Sequence, residues 1–275
     1  MTRRHIAAVC LVAVAVLSAA ATGQDRQQLE RQLQSDYVGK VWLIRGFYEG
    51  GDLRFDNDGK LLKGGKPSSW TLAGVEISSL RLDPGRLDIK GKRVAYAYEA
   101  EHRSFKHVYR VGNVKIALET PAMADESSIR RTLERTLLKD NPVNTSELLD
   151  YWQAFLNDLT GDPEKARVPS ATLNPDNGER VFKPRETTTP PRPVYTPDPK
   201  YSEPAQQARY QGVVILSTVI EKTGDTGAVR IMRPLGFGLD EQAIETVKTW
   251  RFQPAERNGE PVATQMNIQI AFRLY

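Results

Sequence analysis

The chain has almost no cysteine. Its single thiol, Cys10, lies inside an N-terminal apolar run, so the remainder has no means to form a disulfide, a cysteine nucleophile or a thiolate metal site. Histidine is nearly as scarce, with three residues in the chain. His102 and His107 are the two that lie beyond the N-terminal run, and their odd spacing would send them to opposite faces of a strand, so no metal site is expected. Neither sign of charge is in large excess. The formal net charge is +4, and loss of a leader carrying Arg3 and Arg4 would leave about +2. So small a balance argues against nucleic acid as a partner. After the N-terminal run, no stretch is long and apolar enough to span a bilayer.

That run has the layout of a secretory signal. Arg3 and Arg4 form the positive region, Ile6 to Leu17 is apolar, and Ala19-Ala20-Ala21 offers a small-residue cleavage site before the polar Gln24-Asp25. A signal peptide over residues 1–21 is therefore expected, with export to the periplasm or cell envelope. The rival reading is an uncleaved inner-membrane anchor. As a helix, Ile6 to Ala21 would span roughly 24 Å against a hydrocarbon core of about 30 Å, which favours cleavage. Cys10 has no lipobox-like site before it.

Residues 25–160 read as a β-rich domain. Arg26 to Asp36 is a short polar helix. Val41–Ile44, Trp70–Val75, Arg93–Tyr98 and Val114–Leu118 are rich in β-branched and aromatic residues, and Gly50-Gly51, Asp58-Gly59, Gly64-Gly65 and Asp83-Pro84-Gly85 separate them as turns. Such close strand spacing predicts a small barrel or sandwich. Two helices, Ser127–Lys139 and Ser146–Leu159, would close it, the second capped by Ser146 or Thr145. Residues 161–192 are proline-rich and poor in apolar side chains, and read as a semi-extended linker with too little apolar surface to pack.

Several local patterns imitate chemistry without supplying it. Asp56-Asn57-Asp58-Gly59 lacks the ligand alternation of a calcium loop and reads as a hairpin turn. In Gly64-Gly65-Lys66-Pro67-Ser68 a proline stands where a phosphate loop needs Ser or Thr. No Gly-x-Ser-x-Gly elbow occurs. Trp42, Phe47, Tyr48, Trp70, Tyr96 and Tyr98 read as core aromatics rather than a ligand groove, and Arg130-Arg131 with Arg135 as a solvated helix face. No catalytic residue, cofactor or metal is expected, and a non-enzymatic protein is the reading, with an enzyme in the β-domain as the weakest alternative.

Residues 193–275 are the most regular part. Glu203 to Arg209 reads as a short helix. Val213 to Lys222 and Ala228 to Arg233 form a hairpin around Thr223–Gly227. Gly236-Phe237-Gly238 breaks the second strand. Leu239, Ala243, Ile244, Val247 and Trp250 share one face of a helix, with Lys248 and Arg251 at its end. Gln253-Pro254-Ala255 stops it, Asn258-Gly259 is a turn, and Val262 to Tyr275 alternates with period two. Met266, Ile268, Ile270, Phe272 and Leu274 face one way, and Gln265, Asn267, Gln269, Ala271 and Arg273 the other.

The run Gly212-Val213-Val214, then Gly227 and Val229, then Gly238-Leu239-Asp240, Ala243-Ile244, Val247 and Trp250-Arg251-Phe252-Gln253-Pro254-Ala255 resembles the TonB C-terminal domain family. The Trp-Arg-Phe-x-Pro-Ala segment after an amphipathic helix is its most specific part. The fold class expected is thus α+β: an N-terminal β-rich barrel or sandwich with two closing helices, a Pro-rich linker, and a C-terminal ββαβ domain.

The resemblance implies a protein that binds extended peptides by adding a strand to a sheet edge. The implied partner is an outer-membrane TonB-dependent receptor, through its TonB-box peptide, in energy transduction for transport across the outer membrane. It also brings in an inner-membrane proton-motive-force complex and admits a homodimer. The edge maps to Thr264–Arg273, which makes Gln265, Asn267, Gln269 and Arg273 the partner-binding candidates. Tyr201 joins them from the family's Tyr-Pro motif, which is only partly kept because Ser202 follows it. The alternative is a soluble periplasmic binding or adaptor protein without energy coupling.

Overall fold

The computed structural model describes residues 24–122, 124–139, 147–160 and 179–274. The expected signal segment and the Ser146 or Thr145 cap lie outside the described residues. Helix α1 (residues 24–37) turns Leu29, Leu33 and Tyr37 inward at four-residue spacing. Its polar side chains also serve the sheet. The Leu82 N–H donates to Glu30 Oε2 at 2.8 Å, and Gln34 Nε2 donates to the Leu80 carbonyl at 2.9 Å.

Seven strands follow: β1 (Val41–Ile44), β2 (Asp52–Phe55), β3 (Leu61–Lys63), β4 (Gly74–Asp83), β5 (Arg86–Glu99), β6 (Ser104–Glu119) and, after helix α2 (Glu126–Thr136), β7 (Leu137–Lys139). They make one sheet in the order β3-β2-β6-β5-β4-β1-β7, antiparallel except for β2 beside β6. Among the described residues β3 and β7 do not pair, so the β-rich half is an open sheet, neither a closed barrel nor two stacked sheets. Two local expectations give way. Trp70–Leu72 is a 3₁₀ turn, because Ser69 Oγ accepts the Thr71 N–H at 3.1 Å and caps it. Leu137–Lys139 leaves the predicted helix to pair with β1.

The turn patterns behave as turns. Asp56 Oδ1 accepts the amides of Asp58 and Lys60 at 2.9 Å each, and Gly59 takes φ +80°. His102 lies in the β5–β6 turn, 3.4 Å from Glu99, and the described residues hold no cluster suited to a metal ion. Arg130 pairs with Asp36 and Glu126, and Arg135 with Asp58, so the basic face of α2 is largely neutralised. Trp70, Tyr96 and Phe47 are buried, as core aromatics should be.

After α3 (Asp150–Thr160) come β8 (Arg192–Tyr195), α4 (Glu203–Gln207), β9 (Gly212–Ile220), β10 (Thr226–Arg233), α5 (Leu239–Thr249), β11 (Arg251–Gln253), β12 (Ala255–Arg257), β13 (Glu260–Val262) and β14 (Thr264–Phe272). β10, β9 and β14 form a three-stranded sheet in that order. The buried face of α5 (Leu239, Ala243, Ile244, Val247) shares a core with Val214 and Leu216 of β9 and Ile268, Ile270 and Phe272 of β14. Truncating Ile268, 5% exposed, to alanine should lower unfolding stability by about 2–4 kcal/mol, read from the denaturation midpoint. Helix α5 ends at Thr249, and Arg251, expected on its last turn, belongs instead to β11.

The largest departure concerns the linker and the separation of the two halves. The β8 strand pairs antiparallel with β11, Thr189 bridges to Glu256, and Phe182 bridges to Thr264. Backbone hydrogen bonds hold this segment where apolar side chains could not. The two halves also share one core. Trp70 packs against Tyr96, Phe105 and Trp152 with ring centroids 4.8–5.4 Å apart, and the same cluster continues into Phe237, Leu239 and Phe272. Ile129 and Leu133 of α2 share a core with the β-rich sheet, whereas α3, expected beside it, lies on β10, with Asp158 ion-paired to Arg230. Gly236-Phe237-Gly238, expected as a simple break, is the contact itself. The Phe237 N–H donates to the Tyr96 carbonyl at 2.9 Å, and the Tyr98 N–H to the Leu235 carbonyl at 3.1 Å. Gly236 sits at φ +90°, and a Cβ there would lie 2.1 Å from the Tyr96 oxygen, so only glycine allows the approach.

Candidate docking edge

The C-terminal sheet has two outer strands of unequal quality. β10 pairs with β9 through two register shifts and carries Arg230 and Arg233, features that blunt an edge. β14 pairs with β9 without interruption, from Thr264 opposite Ile220 to Phe272 opposite Gly212. It is flat in register and long enough to template another strand.

Backbone direction on β14 follows from one bond. The Gln265 N–H donates to the Phe182 carbonyl at 2.9 Å, away from β9. Since N–H and C=O directions alternate along a strand, Asn267, Gln269 and Ala271 also turn their backbone groups outward, whereas Met266, Ile268 and Ile270 bond to β9. Asn267, Gln269 and Ala271 are exposed and uncharged. At the Thr264 end the face is more closed. Gln265 is half-buried, its Nε2 donates to Ser217 Oγ at 2.9 Å, and Ser217 and Val219 are buried. Arg273, exposed, stands just past the last paired residue.

Four of the five predicted contact residues therefore lie along one edge. Tyr201 does not join them. Its ring meets Phe272 edge-on, 5.4 Å between centroids, on the buried side of the sheet. Its hydroxyl is buried without a hydrogen-bond partner among the described residues, and burial raises its pKa. Tyr201 lines a separate cleft of about 700 Å³ with Ser202, Glu241 and Lys248. Phe182, by contrast, touches the edge directly, and sequence reasoning missed it. It stands in a proline-rich run with no apolar periodicity, and its contact is through backbone atoms that leave no mark on composition.

Residues 197–274 match the family model for the Gram-negative bacterial TonB protein C-terminal. The chain is similar to Protein TonB of Vibrio cholerae, 30% identical over 77 residues, which are 28% of this chain and 32% of that protein. It is also similar to Protein tonB2 of Pseudomonas aeruginosa, 28% identical over 82 residues, 30% of each chain. The match thus spans about a third of the length of these curated relatives. The solution NMR structure of the Pseudomonas aeruginosa TonB CTD aligns at 22% identity with a TM-score of 0.27, covering 30% of this chain and 86% of that one. The C-terminal segment is a TonB C-terminal domain, joined to a β-rich N-terminal half that lies outside the match. No helix among the described residues is long and apolar enough to cross a membrane.

Proposed function

We propose that the TonB C-terminal domain of this chain docks an extended peptide along β14, and that the peptide belongs to an outer-membrane TonB-dependent receptor. The protein would then act in the cell envelope, in TonB-dependent transport across the outer membrane, as a non-catalytic interaction protein. The observation that carries the reading is the uninterrupted β14 register, with outward backbone groups at Asn267, Gln269 and Ala271 beside uncharged side chains. Such an edge supplies affinity through main-chain hydrogen bonds and leaves sequence choice to the flanking side chains.

Titration of the full chain with a synthetic TonB-box peptide, followed by amide NMR, tests it. The expected result is saturable shifts centred on Asn267, Gln269 and Ala271. Shifts confined to the Tyr201 cleft or to β10 would move the site elsewhere.

A second reading, an envelope adaptor without energy coupling, is favoured by one observation. An energy transducer needs a spacer that reaches between membranes. Here β8 and the Phe182 and Thr189 bridges hold residues 182–195 against the domain, and α3 is clamped to β10. That leaves less free chain for reach than composition implies.

A further inference from the structure

The docking edge carries a resident strand. Phe182 pairs with Thr264 in the parallel sense: its N–H donates to the Ala263 carbonyl at 2.9 Å, and its carbonyl accepts the Gln265 N–H at 2.9 Å. These are the bonds a bound peptide would make at the first position of β14. The imitation stops after one pair. The next parallel bond would need an N–H from residue 184 to reach the Gln265 carbonyl, and Pro184 has none. A 3₁₀ turn at Pro184–Glu186 then carries the chain away, with Glu186 accepting the Lys183 N–H at 2.7 Å.

Among the described residues, the side-chain contacts on this segment are local and largely exposed. The Phe182 ring is only half-buried, with Arg180 at 4.6 Å on one contact and Arg257 at 5.0 Å on another. Glu179 pairs with Lys222 at 2.8 Å, both side chains partly in solvent. Exposed ion pairs and cation–π contacts of this kind are individually weak. One strand pair with weak clasps is suited to exchange, and a longer strand that makes the same two bonds and continues past Gln265 has more to gain.

We infer that residues 179–182 act as an internal competitor for the β14 edge, and that an incoming receptor strand displaces Phe182 to occupy the full length of β14. This rests on strand addition at β14 as the mode of binding. A competitor lowers apparent affinity by the fraction of molecules it leaves open.

The test titrates full-length wild type, Phe182→Ala and Lys222→Ala with the same TonB-box peptide. Phe182→Ala should tighten binding about 3- to 10-fold, the range expected if the closed form holds most of the population. Lys222→Ala, on the other clasp, should shift affinity the same way and keeps the test open if Phe182→Ala folds poorly. Hydrogen exchange should show residues 179–182 losing protection when peptide binds while the Gln265 amide stays protected. Unchanged or weakened binding in both variants overturns the competitor. Absence of binding by wild type and variants alike overturns strand addition itself, and the competitor with it.

Discussion

Replacing Gln269 with proline is expected to weaken TonB-box peptide binding by about tenfold or more, with the folded protein little changed. The asymmetry follows from where the Gln269 N–H points. It faces away from β9, so proline removes no bond of the β9–β14 ladder, and its ring projects into the lane an added strand would use. A partner loses one hydrogen bond and meets the ring as well. The neighbouring position is the control. Ile268 bonds to β9 and is buried, so Ile268→Pro should cost about 3 kcal/mol or more and fail as a folded protein. Calorimetric titration with the peptide, beside thermal unfolding of each variant, separates the two effects. Equal affinity for wild type and Gln269→Pro would remove β14 as the docking strand.

The side-chain half of that contrast was legible in the sequence, because the alternation from Gln265 to Phe272 states which side chains are buried, whereas the direction of the amides came from the Gln265–Phe182 bond. The helix stripe at Leu239, Ala243, Ile244 and Val247 was legible for the same reason: burial leaves a periodic trace. The features that were not legible are held by backbone atoms. Leu137–Lys139 pairs with β1 and Arg251–Gln253 with β8, yet nothing in their composition demands it. Phe182 sits among prolines and threonines, and its role comes from two main-chain bonds. Tyr201 lies off the edge for a different reason. Its position in the chain places it beside the domain, but its face depends on how α4 folds under the sheet, which no local pattern encodes. The same holds for the contact between the halves. Trp152, Phe155 and Phe237 are each readable as core residues, but not as members of one core.

The join between the halves turns on Asp240, and Asp240→Ala is expected to cost about 3–5 kcal/mol of unfolding stability. The carboxylate is fully buried at the start of α5. Its Oδ1 accepts the Leu235 N–H at 2.8 Å and its Oδ2 the Gly236 N–H at 2.7 Å. These two amides belong to the loop whose other groups bond to Tyr96 and Tyr98 on β5, so this side chain helps hold the loop in the shape that makes the contact. Alanine leaves both amides buried and unpaired. A domain is typically stable by about 5–15 kcal/mol, so the loss is a large fraction of the total. Because the halves share a core, the destabilised variant should still unfold in one transition, and exchange should accelerate at the Tyr98 amide as well as at Leu235. Two separate transitions would show that the contact contributes little.

Asparagine keeps one acceptor and should cost less, about 1–3 kcal/mol. The difference between wild type and Asp240→Asn should also vary with pH. Burial, and then the adjacent Glu241, raise the Asp240 carboxyl well above its ordinary range, while the two backbone amides pull it partway back. A folded-state pKa above the unfolded value of about 3.9 means that the native form binds the proton more tightly. Its favourable contribution is therefore greatest in acid and declines as pH rises towards the folded pKa. The melting-temperature gap between wild type and Asp240→Asn should narrow from pH 4 upward. A gap that widens would mean that the amide pair outweighs burial, and that the ionised carboxylate is the form the loop was built around.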